Sequence, residues 1–176
     1  MSANQTMVKM VLDRWNTEIN KFTGIIDSIS DNRLMDEVAP GKNRGIYLLG
    51  HVLVVNDDVL PVLNFGNKLY PELIDIFLKS PDKSVGKIPS ASELRAAWEL
   101  LNQRLTDKMN SLPADDWFDK HNSVSAEDFA KEPHRNKLNI IITRTTHLSY
   151  HTGQLMLLKH AGLKAAMGNL KQEIHY

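Results

Sequence analysis

Apolar residues return every three or four positions through four long stretches of this chain, the period of helices that bury one face. The first carries Val8, Leu12, Trp15, Ile19, Phe22, Ile26 and Ile29, with Lys9, Asp13, Arg14, Glu18 and Lys21 on its other faces. It predicts an amphipathic helix of about seven turns. The second, from about Ile46 to Phe65, is apolar on nearly all sides. It is too long for a strand and predicts a mostly buried helix. Pro61 should kink or shorten it, because proline cannot donate to the carbonyl four residues back. The third opens at Ser90, with Glu93 placed to complete a capping box, and its face is Leu94, Trp98, Leu101, Leu105 and Met109. Pro113 stops it. The fourth follows Pro133 and should run to about Ala161, with Lys159 and His160 in its last turn and Gly162 as its C-terminal cap. Its apolar stripe is Leu138, Ile141, Thr145, Leu148, Thr152, Leu155 and Met156.

Two long connectors separate these helices, about Gly66–Ser90 and Pro113–Pro133. Pro71 suits the first position of a short helix over Glu72–Lys79, and Ser125 with Asp128 marks another helix start. No internal repeat is present. The expected fold is all-α, a four-helix bundle with two long connections, residues 1–176 forming one domain.

Composition narrows the function. Lys and Arg total 21, as do Asp and Glu, so the formal net charge is zero and no basic run marks a nucleic-acid surface. Cysteine is absent, which removes a thiol nucleophile and thiolate metal ligands. The N-terminal apolar stretch is broken by Asp13 and Arg14 and lacks a signal-peptide core, and no apolar run approaches the roughly 20 residues of a spanning helix. These features predict a cytoplasmic protein that binds neither nucleic acid nor membrane.

Candidate chemistry lies in the histidines. His147 and His151 are one turn apart on the fourth helix, about 40° around its axis, so two imidazoles can share one metal ion. Zinc proteases use this H-x-x-x-H geometry with a Glu after the first histidine; here Leu148 stands there, so that reading fails. Gln154 falls on the same face, about 20° from His147. His51 sits inside the most apolar segment of the chain, where both ring nitrogens need partners. It is either a core histidine bonded to a neighbouring group or a metal ligand steadied through its second nitrogen.

Gly50-His51 in the second helix, followed by His147-Leu-Ser-Tyr-His151-Thr-Gly153-Gln154 in the fourth, resembles the DinB/YfiT-like superfamily of metalloenzymes. The segment Asn110–Trp117 also resembles that family's turn after the third helix, and the likeness spans about Thr6 to Gly162. It implies an up-down-down-up bundle, with a long crossover between helices two and three. It further implies a divalent metal, nickel or zinc with iron possible, held by His51, His147 and His151. Family activities include transfer to a low-molecular-weight thiol, hydrolysis and isomerisation of small-molecule substrates, and homodimers are common. Three neutral imidazoles would leave such an ion an open coordination position, the arrangement of catalytic sites.

Around this core, Gln154 is expected to orient a metal ligand or substrate, and Tyr150 to stand at the edge of the cavity. Asp58 shares the His51 face but lies two turns on, roughly 10 Å away, so it is expected to be solvated or to pair with Arg144. Gly153, and Gly50 with it, should admit a neighbouring helix. His121 and His134 are expected to be exposed, His160 to lie at a helix end and His175 in a mobile tail. Trp15 and Trp98 should be core, Trp117 a plug at the end of the bundle. Leu73, Ile76 and Phe77 look exposed and would suit a dimer contact. The competing reading is a non-catalytic bundle that binds a small ligand or forms a structural dimer; metal content separates the two.

Overall fold

In the computed structural model the described residues are 1–173 for the backbone and 1–159 for the side chains. Among them there is no β-strand, only two isolated bridges, Glu37 with Arg44 and Lys120 with Asn136, so the protein is all-α. Helix α1 spans Ala3–Asp27. Its start is closed by a capping box, Ser2 Oγ accepting the Gln5 N–H and Gln5 Oε1 accepting the Ser2 N–H. Val8, Trp15, Phe22, Ile25 and Ile26 form its buried face. A single turn, α2 (Asp31–Leu34), follows; four residues are too few to show periodicity in a sequence.

Helix α3 (Gly45–Asp57) is apolar all round and almost wholly buried. The expected kink falls at Asp58, after which the last turn resumes as α4 (Val59–Val62), where Pro61 leaves the Asp57 carbonyl without its helical donor. The stretch Gly45–Val62 is, by length and composition, apolar enough to cross a bilayer, which the sequence pattern alone did not suggest. However, 78% of it is buried inside the molecule, as befits a core helix.

The connector that follows holds a 3-10 turn (Pro71–Leu73) and a π-helical turn (Asp75–Lys79). Phe77 is fully buried, Leu73 nearly so and Ile76 half-buried. The apolar residues expected to offer a dimer contact are therefore largely spent inside the fold. Their exposure was misjudged because a short apolar run in a connector docks on α3 as readily as on a partner.

Helix α5 (Ala91–Ser111) begins at the predicted Ser90–Glu93 capping box and ends before Pro113. The second connector carries a 3-10 turn (Asp115–Phe118) and α6 (Ala126–Lys131), capped as expected by Ser125 Oγ accepting from the Asp128 N–H. Helix α7 runs Lys137–Glu173, straight through Gly162. The expected stop there is wrong: glycine inside a helix costs about 1 kcal/mol but does not end it unless a left-handed turn follows. The positions foreseen for the side chains of His160 and His175 lie outside the described residues.

Helix α1 lies along α7, and α3 packs between α5, α7 and the π turn. Trp15 and Trp98 are core as expected; Trp98 tilts on Phe22 at 4.8 Å and its Nε1–H donates to Thr23 Oγ1. Trp117 is buried against Phe65, ring edge to face.

One ion pair ties the start of α3 to the connector after it. Asp82 accepts from Arg44 Nη2 at 2.7 Å, from its Nε and from its backbone N–H, an otherwise free donor at the helix start. Both side chains are largely buried, 16% and 4% exposed for Arg44 and Asp82. Burial pushes the Asp82 carboxyl up, but Arg44's hydrogen bonds and charge outweigh it and hold the group below its ordinary 3.8. Asp82→Ala should therefore lose about 3 kcal/mol in urea unfolding at pH 7. A folded pKa below the unfolded one gives stability that is complete above about 3.8 and fades as pH falls through the folded value. The gap between wild type and variant should thus shrink at pH 3; a gap unchanged between the two pH values would refute the assignment.

Candidate metal centre

His51 projects from the middle of α3, and His147 and His151 from adjacent turns of α7, where those two helices pack. The Nε2 atoms of His51 and His147 are 3.2 Å apart, and those of His147 and His151 are 3.1 Å apart. One nitrogen from each of the three lies within 4.8 Å of the others. Ligand nitrogens about 2.0–2.1 Å from a zinc ion in tetrahedral array stand ~3.3 Å from one another. The His51–His147 and His147–His151 spacings therefore match the edge of such a polyhedron.

The far side of each ring fixes which nitrogen carries the proton. His51 Nδ1–H donates to the Phe77 carbonyl at 2.9 Å, and His151 Nδ1–H donates to Gln154 Oε1 at 2.7 Å. Both Nε2 atoms are then bare lone pairs, and both point at His147 Nε2. A single proton there can serve only one of them. His147 Nδ1 is itself buried without a partner. No placement of protons satisfies the three rings together, whereas one cation would satisfy all three lone pairs.

Burial, with the nearby His151, His51 and Arg144 adding to it, holds the His147 pKa down to about 4. His151 is also lowered, chiefly by burial, against the opposing bond from Gln154. At neutral pH these rings are uncharged, the form that ligates metals. Three imidazole nitrogens so placed suit a divalent ion.

Local packing explains the aim of His51. A Cβ at Gly50 would overlap the Phe77 ring, coming within 2.6 Å of Cγ, so only glycine lets the π turn approach closely enough to present its carbonyl. Tyr47 stacks parallel to His51 at 6.4 Å and donates from its hydroxyl to the Ser80 carbonyl, pinning the other end of that turn. Gly50 thus admits a neighbour as expected. Gly153 does not: it is exposed, with open space where a Cβ would be. The expected close approach of a helix there is corrected.

Gln154 lies beside His151, and its Nε2–H donates to the Tyr150 hydroxyl at 3.3 Å. Tyr150 is 64% exposed and packs edge-on to His151 at 5.1 Å. Asp58 stays outside the cluster and meets Lys68 at 2.9 Å and Arg144 at 3.5 Å, the pairing foreseen for it. Asp57 is buried and accepts the backbone N–H groups of Leu69 and Tyr70, securing the loop after α4. His134 is exposed as expected, but His121 is buried, its Nδ1 accepting from the Ser123 N–H. The second connector folds back over it, Asn122 bonding the Val62 and Pro61 carbonyls.

Sequence reasoning missed the Phe77 carbonyl. A backbone carbonyl leaves no signature in residue type; the available signal was Gly50 beside His51.

No family model matches this chain, and no curated protein matches it. Among solved structures, it is similar to the crystal structure of a conserved protein from Enterococcus faecalis. The TM-score is 0.59 at 13% identity, covering 90% of this chain and 96% of that one. At that identity the likeness shows an all-α fold in common and no more.

Proposed function

We propose that this protein is a divalent-metal-dependent enzyme acting on a small molecule, with His51, His147 and His151 as the metal ligands. In this reading the fold is a DinB/YfiT-like four-helix bundle, α1, α3, α5 and α7 running up-down-down-up with the crossover between α3 and α5. The observation that carries the reading is the convergence of three imidazoles whose protons cannot be arranged to satisfy one another.

The chain's own residues have distinct tasks. Phe77 and Gln154 accept the Nδ1 protons of His51 and His151, which keeps each Nε2 free and each ring oriented. Tyr150 stands beside His151 and is linked to it through Gln154. Valines and leucines of α3 exclude water from behind. A bound divalent ion would supply Lewis acidity and an acidified water or thiol, with at least one position not filled by protein. Nitrogen ligands suit nickel, zinc and iron alike, and thiol transfer or hydrolysis both use such an ion. The competing non-catalytic reading needs no metal.

Protein produced without a histidine tag should bind close to one equivalent of zinc or nickel, and Gln154→Ala should weaken that affinity about 10–100-fold. Calorimetric titration of metal-free protein checks both. No binding by the wild type, or equal binding by the Gln154→Ala variant, would count against the site as drawn.

A further inference from the structure

Away from the histidines, α1 and α7 enclose a cleft of about 420 Å³. Thr145 and Ser149, which line it, each stand about 160° around α7 from His147, so the cleft is a separate place in the fold. Small-molecule sites run from about 300 to 1,000 Å³, and this volume falls among them. Met10 and Val11 of α1 and Ile142 of α7 give it apolar walls. Met10 is 68% and Ile142 47% exposed, so part of that apolar surface faces water.

Glu18 also lines the cleft. The hydrophobic period places it on a polar face of α1, yet α7 lies along that helix and leaves Glu18 only 1% exposed. Its Oε1 meets Arg14 Nη2 at 2.7 Å, and its Oε2 is buried with no hydrogen-bond partner. A buried carboxylate needs a cation and donors beside it. Arg14 supplies one contact from a side chain that is 65% exposed. A cation so exposed gives up its contact at small cost, because water replaces the carboxylate. Glu18 has no such replacement, so a second cation must take over where Arg14 leaves.

The other polar groups narrow the ligand. Thr145 and Thr146 donate their hydroxyl protons to the Ile141 and Ile142 carbonyls, so toward a ligand these oxygens can only accept. A buried carboxylate, accepting hydroxyls and apolar walls together match a primary ammonium, which carries three donors, on an apolar body. An anion would face the Glu18 charge, and a neutral molecule of the same shape would gain only the walls.

We infer that this cleft binds small primary amines with an apolar tail, the ammonium taking the place of the Arg14 guanidinium on Glu18 and the tail lying against Met10, Val11 and Ile142. Glu18 selects the charge of the ligand, and Arg14 holds its position until the ligand arrives. Nothing in this site depends on a metal at the histidines.

Hexylamine, hexanol and hexanoate serve as probes, one tail with three head charges at pH 7. Amide NMR shifts of isotope-labelled protein report affinity and place together. Wild type should bind hexylamine about tenfold more tightly than hexanol, and hexanoate most weakly, with shifts around Met10, Ile142 and Ser149. Glu18→Gln keeps the shape, removes the charge and should bind amine and alcohol alike. Arg14→Ala removes the resident cation and should bind hexylamine more tightly than wild type. Replacing Met10 and Ile142 together by alanine, both being exposed, spares the core and should weaken amine and alcohol alike. Equal affinity of wild type for amine and alcohol overturns the proposal without any variant. So does a Glu18→Gln protein that still prefers the amine, an Arg14→Ala protein that binds it more weakly, or a double variant that binds both probes as wild type does. Shifts gathered on His51, His147 and His151 instead would place the amine at the histidine cluster and reject this cleft.

Discussion

Replacing His147 by alanine should abolish divalent-metal binding, and any activity with it, yet leave a helical protein that unfolds cooperatively. His147 is the shared vertex of the cluster, 3.2 Å from His51 Nε2 and 3.1 Å from His151 Nε2. Without it, two nitrogens face an empty vertex and cannot hold an ion as three do. The fold does not depend on this ring. The core is a continuous set of apolar side chains from α1, α3, α5 and α7, unlike a metal-dependent finger that has no core of its own. His147 Nδ1 is moreover a buried polar atom without a partner, so truncation removes an unsatisfied group as well as volume. Metal at about a hundred times its Kd should stabilise the wild type by ~2.7 kcal/mol, a rise in Tm of roughly 5–10 °C for a chain this long. His147→Ala should show no such rise. His151→Ala should behave alike, and His51→Ala less cleanly, because it also removes a ring stacked on Tyr47 and bonded to the Phe77 carbonyl. Circular dichroism, thermal scans with and without metal, and metal analysis test the three together. An unfolded His147→Ala protein, or one with full metal occupancy, would reject the reading.

The parts of this structure that sequence made legible are those whose physics is local. Ser2, Ser90 and Ser125 close helix starts through atoms at most three residues away, and the last two were readable as spacing. The facing of His147 and His151 follows from helical geometry, and so does the contact of His151 with Gln154, three residues on. What sequence hid was contact across long separations. The partner of His51 is the carbonyl of Phe77, 26 residues away, supplied by a backbone that any residue has. Whether Leu73 and Phe77 lie inside or outside depends on where the connector docks, which neither residue encodes. His121 was misplaced for the same reason: the loop that buries it is anchored on α4, 61 residues back through Asn122 and Pro61. Gly162 misled differently, since a glycine after a helical stripe resembles a cap unless the next turn is seen.

That coupling between the first connector and the histidine cluster makes Gly50→Ala the sharpest test of how the cluster is held. On helix propensity alone the change should stabilise α3 by about 1 kcal/mol. The structure reverses the sign. The new Cβ would come within 2.6 Å of Phe77 Cγ, and the Phe77 ring is fully buried and braced by Tyr47 at 5.8 Å. Overpacking of that kind costs about 1–3 kcal/mol, so the variant should be less stable than wild type. The ring can yield only by moving the π turn, and the Phe77 carbonyl moves with it. His51 Nδ1–H then loses its acceptor, and the ring its fixed tautomer and aim. Metal affinity should fall about 10–100-fold although no ligand has been touched. Gly153→Ala is the control: that residue is exposed on α7 with nothing near a Cβ, beside His151 in sequence but facing away from any neighbour. It should gain the propensity term, ~0.5–1 kcal/mol, and leave metal binding unchanged. Urea unfolding of both metal-free variants with metal titration of each gives four numbers. If Gly50→Ala proves as stable and as tight for metal as wild type, the Phe77 carbonyl does not set the aim of His51.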